Sequence, residues 1–236
     1  MLTYLFYYLS ASLILSFISV LVITSWLLIK KMRKPSVCKT TYYPKVGIIV
    51  PHYNENPDHI IESLEAIEQQ DYPKQLVIVL ADDGSKNDVQ RPLQNWLSSK
   101  RKQEYISIRY EKNNGSKGKN LDASLKYFPD DLEAVVVVDS DTYLEPSSVR
   151  LVTERMWRDD KCAAVCGLIV PANNSDTFWQ KLQYFEHIGV YPVIKSAQDV
   201  VGRVSIMAGA FVIHRMSVVN EIGGWGEWIV ADIAWT

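Results

Sequence analysis

Leu76-Val77-Ile78-Val79-Leu80-Ala81-Asp82-Asp83-Gly84-Ser85 and Ala134-Val135-Val136-Val137-Val138-Asp139-Ser140-Asp141-Thr142 are the stretches whose reading decides the fold. Each is a strongly apolar run of strand length that ends in carboxylates. Unbroken runs of Val, Ile and Leu suit strands buried on both faces, as in a parallel sheet covered by helices. In an open α/β sheet, ligands bind in the crevice beyond the carboxyl ends of the strands, so two such strands bring their carboxylates to one site. Hard oxygen ligands of this kind select Mg²⁺ or Mn²⁺, ions that in turn hold the charge of a diphosphate. The pattern therefore predicts phosphate-linked chemistry.

Outward from these two runs the same alternation continues. Lys45 to Val50 reads as a buried strand ending at Pro51, and Asn56-Pro57-Asp58 opens a helix to about Gln70, with Ile60, Ile61, Leu64 and Ile67 on one face. Asp88 to Arg101 and Lys119 to Tyr127 are predicted helices on either side of a strand at Ile106 to Tyr110. Beyond Asp141 the reading is a helix over 147–159, a strand over 163–170 and a long helix over 175–194. Phe178, Trp179, Leu182, Phe185 and Ile188 form an aromatic stripe on that last helix, read as core packing in preference to a membrane-surface face. Alternating strands and helices predict an α/β fold with a mostly parallel sheet.

Residues Leu2 to Ile29 carry no charged side chain. A helix of that length crosses a hydrocarbon core of about 30 Å. The start is uncharged and the run is too long for a signal peptide, and Lys30-Lys31-Met32-Arg33-Lys34 follows it. By the positive-inside rule the basic side is cytoplasmic, which predicts a single-pass plasma or inner membrane anchor over 1–30, a basic linker over 31–44 and a cytosol-facing domain over 45–236. With a net charge of -2 and no basic patch interleaved with aromatics, nucleic-acid binding is excluded. Cys38, Cys162 and Cys166 suit a reducing compartment, and no His or second Cys pair completes a zinc site around them.

The candidate residues also have plainer readings. Asp82-Asp83-Gly84-Ser85 has the composition of an ordinary turn and helix cap, and Asp139 with Asp141 that of a solvated loop. Lys117 and Lys119 follow a Gly- and Asn-rich turn that suits a solvated basic loop equally well. His214-Arg215 reads as a surface pair at a helix start, and no Ser-His-Asp arrangement is supported.

The order of motifs resembles the family-two inverting glycosyltransferases, above all the membrane synthases of cellulose, chitin, hyaluronan and poly-N-acetylglucosamine. The resemblance rests on Val50-Pro51-His52-Tyr53-Asn54-Glu55, Asp82-Asp83-Gly84-Ser85, Lys117-Gly118-Lys119-Asn120-Leu121-Asp122-Ala123 and Asp139-Ser140-Asp141-Thr142. Met207-Ala208-Gly209-Ala210 with His214-Arg215, then Gly223-Gly224-Trp225 and Ala231-Asp232, complete it in the same order. It implies a GT-A fold, a UDP-sugar donor with UDP-N-acetylglucosamine foremost, a glycan acceptor and a divalent metal. Pro51, Tyr53 and Glu55 would line the nucleotide pocket, with Asp82 and Asp83 toward uracil and ribose. Lys117 or Lys119, Asp139 and Arg215 would approach the donor, Asp141 would coordinate Mg²⁺ or Mn²⁺, and Asp232 would be the base that inversion requires.

The resemblance is incomplete in two places. Val230 and Ala231 stand where the family has Thr and Glu before Asp232, and the sequence stops at Thr236, before the Gln-x-x-Arg-Trp segment and the further spans of the synthases. One anchor cannot line a polymer channel, so if the chain is the whole natural product, export would need helices from a protein partner. A nonprocessive transferase acting on a lipid-linked or envelope acceptor, and an inactive donor-binding subunit, are the alternatives.

Overall fold

In a computed structural model the protein is described over residues 2–32, 42–172 and 177–227. It divides into two compact units, one of residues 38–167 with 206–236 and one of residues 1–37 with 168–205.

The first unit is built on a six-stranded mixed sheet. Its strands are β1 (Val46–His52), β2 (Val77–Asp82), β3 (Glu104–Arg109), β4 (Ala134–Val138), β5 (Ala164–Cys166) and β6 (Phe211–Arg215), in the order β3-β2-β1-β4-β6-β5. β3, β2, β1 and β4 run parallel, and β6 enters antiparallel between β4 and β5. β1, β2 and β4 are the predicted apolar runs, and every residue of β2 and β4 is buried. Helices α2 (Pro57–Glu68), α3 (Gln90–Leu97), α4 (Lys117–Leu125), α5 (Ser148–Met156) and α8 (Met216–Ile222) accompany the sheet. α2 begins as predicted: the Asn56 side chain accepts from Asp58 N, and Pro57 occupies the first turn, where its missing N–H costs nothing.

His214-Arg215 does stand at a helix start, since Arg215 immediately precedes α8, but β6 corrects the reading of it as a surface pair. Both residues lie in a strand that pairs on both edges, and His214 is only 4% exposed.

In the second unit, the apolar helix α1 (Leu2–Met32) packs with α7 (Tyr191–Val201). α7 is reached from α6 (Phe178–Phe185) through a π-helical turn, Glu186–Val190. The predicted single helix over 175–194 is thus interrupted, and residues 173–176 lie outside the described residues. The stripe is not core: Phe178 and Trp179 are 71% and 73% exposed, and α6 has no buried residue. Phe6–Lys30 is long and apolar enough to cross a membrane.

Strand ends do not fix the loops that follow them, so side chains must. Helix α2 and the turn that follows it do this for the segment after β4. Ser63 Oγ donates to Thr142 O at 2.8 Å, Asp71 N to Pro146 O at 2.8 Å, and the fully buried Gln70 donates to Ala66 O and Glu145 O while accepting from Val149 N. Every polar atom of the Gln70 amide is used for this grip. Gln70→Leu leaves these backbone groups unpaired in the interior and is expected to lower unfolding free energy by about 2–3 kcal/mol, read from denaturant titration.

Candidate active site

A cleft of about 430 Å³ opens at the carboxyl ends of β1, β2 and β4. Pro51, Tyr53 and Glu55 come to it from β1 and the following loop, Asp83 from the end of β2, Lys117 from α4, and Asp139 and Asp141 from the end of β4. Seven of the residues singled out from the sequence therefore share one wall or another of a single pocket.

Hydrogen bonds between loops shape it. Asn54, at a φ of 56° that few non-glycine residues adopt, donates its N–H to Ser85 Oγ and accepts from Lys86 N with its side chain. Asn87 Nδ2 adds a bond to Glu55 O, so the loops after β1 and β2 are stitched together. Asp83 Oδ1 accepts from both the backbone and the side chain of Asn114, which draws the approach to α4 onto the end of β2. α4 starts beside the cleft with Ser116 as its cap, accepting from Lys119 N. A helix N-terminus with a lysine in its first turn favours anions. Lys117 Nζ donates to Asp139 Oδ1 and to Gly209 O, and Asp139 N donates to Ala210 O.

Two buried acceptors complete the wall. His52 and Asn120 both line the cleft, and His52 Nε2 and Asn120 Oδ1 have no hydrogen-bond partner among the described residues. With a carbonyl, Val50 O, against His52 Nδ1, that nitrogen is assigned the proton and Nε2 is left as an acceptor. Burial lowers the His52 pKa and keeps the ring neutral. Sequence reading missed both groups, although each sits inside a quoted motif.

Other assignments are corrected. Asp82 is fully buried, off the cleft, and accepts from Ser85 N and Gln90 Nε2 with Arg109 Nε 3.5 Å away. Burial alone would raise its pKa, but the hydrogen bonds from Ser85 and Gln90 outweigh that and lower it. Asp82 thus closes the turn after β2 and caps no helix, and of the two carboxylates only Asp83 faces the pocket. Lys119 pairs with Glu227 at 3.0 Å and does not line the cleft. Arg215 is not brought to the cleft either. It sits opposite Ala134 at the far end of β4, donates to the carbonyls of Cys162, Met156 and Asp159, and lies 4.6 Å over the Trp157 ring. Asp232 lies outside the described residues.

Among the described residues no three His, Cys, Asp or Glu side chains converge as a metal cage. Asp139 and Asp141 at the cleft still fit Mg²⁺ or Mn²⁺, because those ions are held by one or two carboxylates with substrate phosphates and water supplying the rest.

The sheet order and a cleft of carboxylates and lysine at its carboxyl edge define a GT-A-like domain. Residues 47–223 match the model of Glycosyl transferase family 2, and the chain belongs to that family. It is 32% identical over 177 residues to an N-acetylglucosaminyltransferase of Bradyrhizobium diazoefficiens, covering 75% of this chain and 35% of the relative. It is 23% identical over 176 residues to a hyaluronan synthase of Streptococcus pyogenes, covering 74% and 41%. The chain thus spans well under half the length of these relatives. In fold it is similar to a mannosyltransferase of Pyrobaculum calidifontis solved with GDP-mannose and Mn²⁺, at a TM-score of 0.70 and 24% identity, covering 92% of this chain and 58% of that one. It is also similar to residues 1–349 of TarS from S. aureus solved with UDP-GlcNAc, at a TM-score of 0.53 and 20% identity, covering 81% and 52%.

His214 links the packing between β6 and the Trp225 turn to pH. Its ring meets Trp225 edge-on at 5.2 Å, and burial pushes its pKa down to about 3. The unfolded chain takes up that proton near the ordinary value of about 6.5. Stability from the neutral ring is therefore complete above 6.5 and is lost as pH falls toward 3. The urea midpoint is expected to drop between pH 7.5 and 5.5, and to drop less in His214→Phe.

Proposed function

We propose that this chain carries the sugar-transferring part of a membrane polysaccharide synthase. It takes a UDP-sugar, UDP-N-acetylglucosamine first, and transfers the sugar with inversion to a glycan hydroxyl, forming a β-linkage. The observation that carries this reading is the facing of Lys117 and the start of α4 against Asp139 and Asp141 within one cleft, an arrangement suited to a diphosphate. Tyr53, Asp83 and the acceptor atoms of His52 and Asn120 suit the hydroxyl and N–H donors of a nucleoside. The relatives' names favour N-acetylglucosamine over other sugars.

In this reading Asp232 takes the proton of the acceptor hydroxyl. The acceptor oxygen then bonds to the anomeric carbon from the face opposite the nucleotide, and the bond to the diphosphate breaks with its electrons leaving on UDP. Lys117 receives the charge that develops on the diphosphate. Asp141 and Asp139 would hold Mg²⁺ or Mn²⁺, which supplies a Lewis acid for the departing UDP. α1 would anchor the chain with its basic end in the cytosol, where nucleotide sugars are made available to the cleft.

Membranes carrying the chain are expected to release UDP with one sugar of a panel that includes UDP-N-acetylglucosamine, UDP-glucose and GDP-mannose. Asp232→Asn is expected to slow release about 10²–10⁴-fold, the usual worth of a general base. Asp141→Asn is expected to raise the Mn²⁺ concentration needed for half-maximal release. Release at the wild-type rate from both variants would overturn the assignment.

A further inference from the structure

Asp122 lies in the same motif as Lys117 but does not line the cleft. Its carboxylate is spent elsewhere: Oδ1 accepts from Trp225 N and Oδ2 from Gly226 N, each at 2.8 Å. The turn it holds is shaped for this contact. Gly223, Gly224 and Gly226 have φ of 81°, 93° and 72°, and a Cβ on Gly224 would fall 2.2 Å from Asp122 Oδ1. From the other side, a Cβ on Gly118 would fall 2.5 Å from Gly226 O, so α4 and the turn meet backbone to backbone. Trp225 is buried against His214, and Lys119 pairs with Glu227 on the same turn.

The two ends of this arrangement belong to one short helix. Lys117 reaches Asp139 on the cleft wall, and Asp122, five residues or about 7.5 Å further along the axis, holds the turn. We propose that Asp122 is a positioning residue that fixes the Gly223–Gly226 turn, which precedes Asp232 by six residues of sequence, to the same helix that addresses the donor. The proposal rests on the transferase reading above for the part played by Asp232. A carboxylate is the fitting group because it only accepts, and two N–H groups converge on its two oxygens. An amide has one such oxygen, and its NH₂ opposes the second N–H.

The test compares Asp122→Asn, Asp122→Ala and Gly224→Ala with wild type in the full membrane-bound chain, reading UDP affinity, kcat and KM for the donor, and hydrogen exchange of residues 223–227. Expected are a fall in kcat of about 10²-fold, the cost of a displacement near 1 Å, with UDP affinity held within about twofold and faster exchange at Trp225 and Gly226. The double variant Asp122→Ala/Gly224→Ala is expected to be no worse than either single change, since both break one tether. Unchanged kcat, or UDP affinity falling in step with kcat, would overturn the proposal and make Asp122 a general fold residue. Should the wild type release no UDP, it is the transferase reading that fails. The exchange data with bound UDP then decide alone, and unchanged exchange in Asp122→Asn overturns the tether.

Discussion

Asp139 leaves β4 two residues before a second carboxylate, and Lys117 is the cation that meets it there. Like charges at a strand end repel, and they repel most where a cleft wall thins the surrounding water. The ammonium answers that charge and also bonds Gly209 O, so a single lysine joins the start of α4, the end of β4 and the approach to β6. Three segments far apart in sequence meet at one nitrogen. The Gly115 turn and the Ser116 cap follow from this need, since they let α4 begin where its first side chain can reach.

Polar side chains bonded to neighbouring loops hold the rest of the cleft. Gln70 and Ser63, both buried, hold the segment after β4, and the buried Asp83 with the exposed Asn54 and Asn87 binds the neighbouring loops to one another. Buried polar groups are costly unless paired, so the bonds of Gln70, Ser63 and Asp83 favour one loop geometry over many. His52 Nε2 and Asn120 Oδ1 are buried acceptors with no partner among the described residues, and both lie on residues of the cleft wall. Unpaired acceptors in such a wall are the places where a bound molecule gains most from its own N–H and O–H groups.

Much of this was legible in the sequence for a physical reason. β1, β2 and β4 are buried on both faces, so their apolar runs are unbroken and their ends are marked by the carboxylates themselves. β3 is an edge strand with exposed Glu104, Ser107 and Arg109 flanking partly buried positions, so it begins two residues before the expected Ile106. β6 gave no such signal, because it is short, ends in His-Arg, and owes its burial to partners on both edges. Asp82 and Asp83 show the limit of motif reading. Successive side chains of an extended chain point to opposite faces, so of two adjacent carboxylates one turned inward to cap Ser85 and the other reached the cleft. Arg215 was drawn toward the donor by its motif, but an antiparallel strand carries its last residue away from the edge where its first one lies, and strand direction is not written in local composition.

That reversal has a further consequence for how the domain is put together. Phe211 stands opposite Val138 and Arg215 opposite Ala134, so the chain departs from the cleft along β6 over about 13 Å. It turns at once into α8, whose seven residues span about 10 Å, and comes back to Asp122 at Trp225. The excursion begins and finishes beside α4, and its outer bend, at Arg215 and Met216, is remote from the groups that line the cleft. Additions at that bend would lengthen the molecule without entering the cleft, whereas a single residue gained or lost on either limb would change how the Gly223–Gly226 turn arrives.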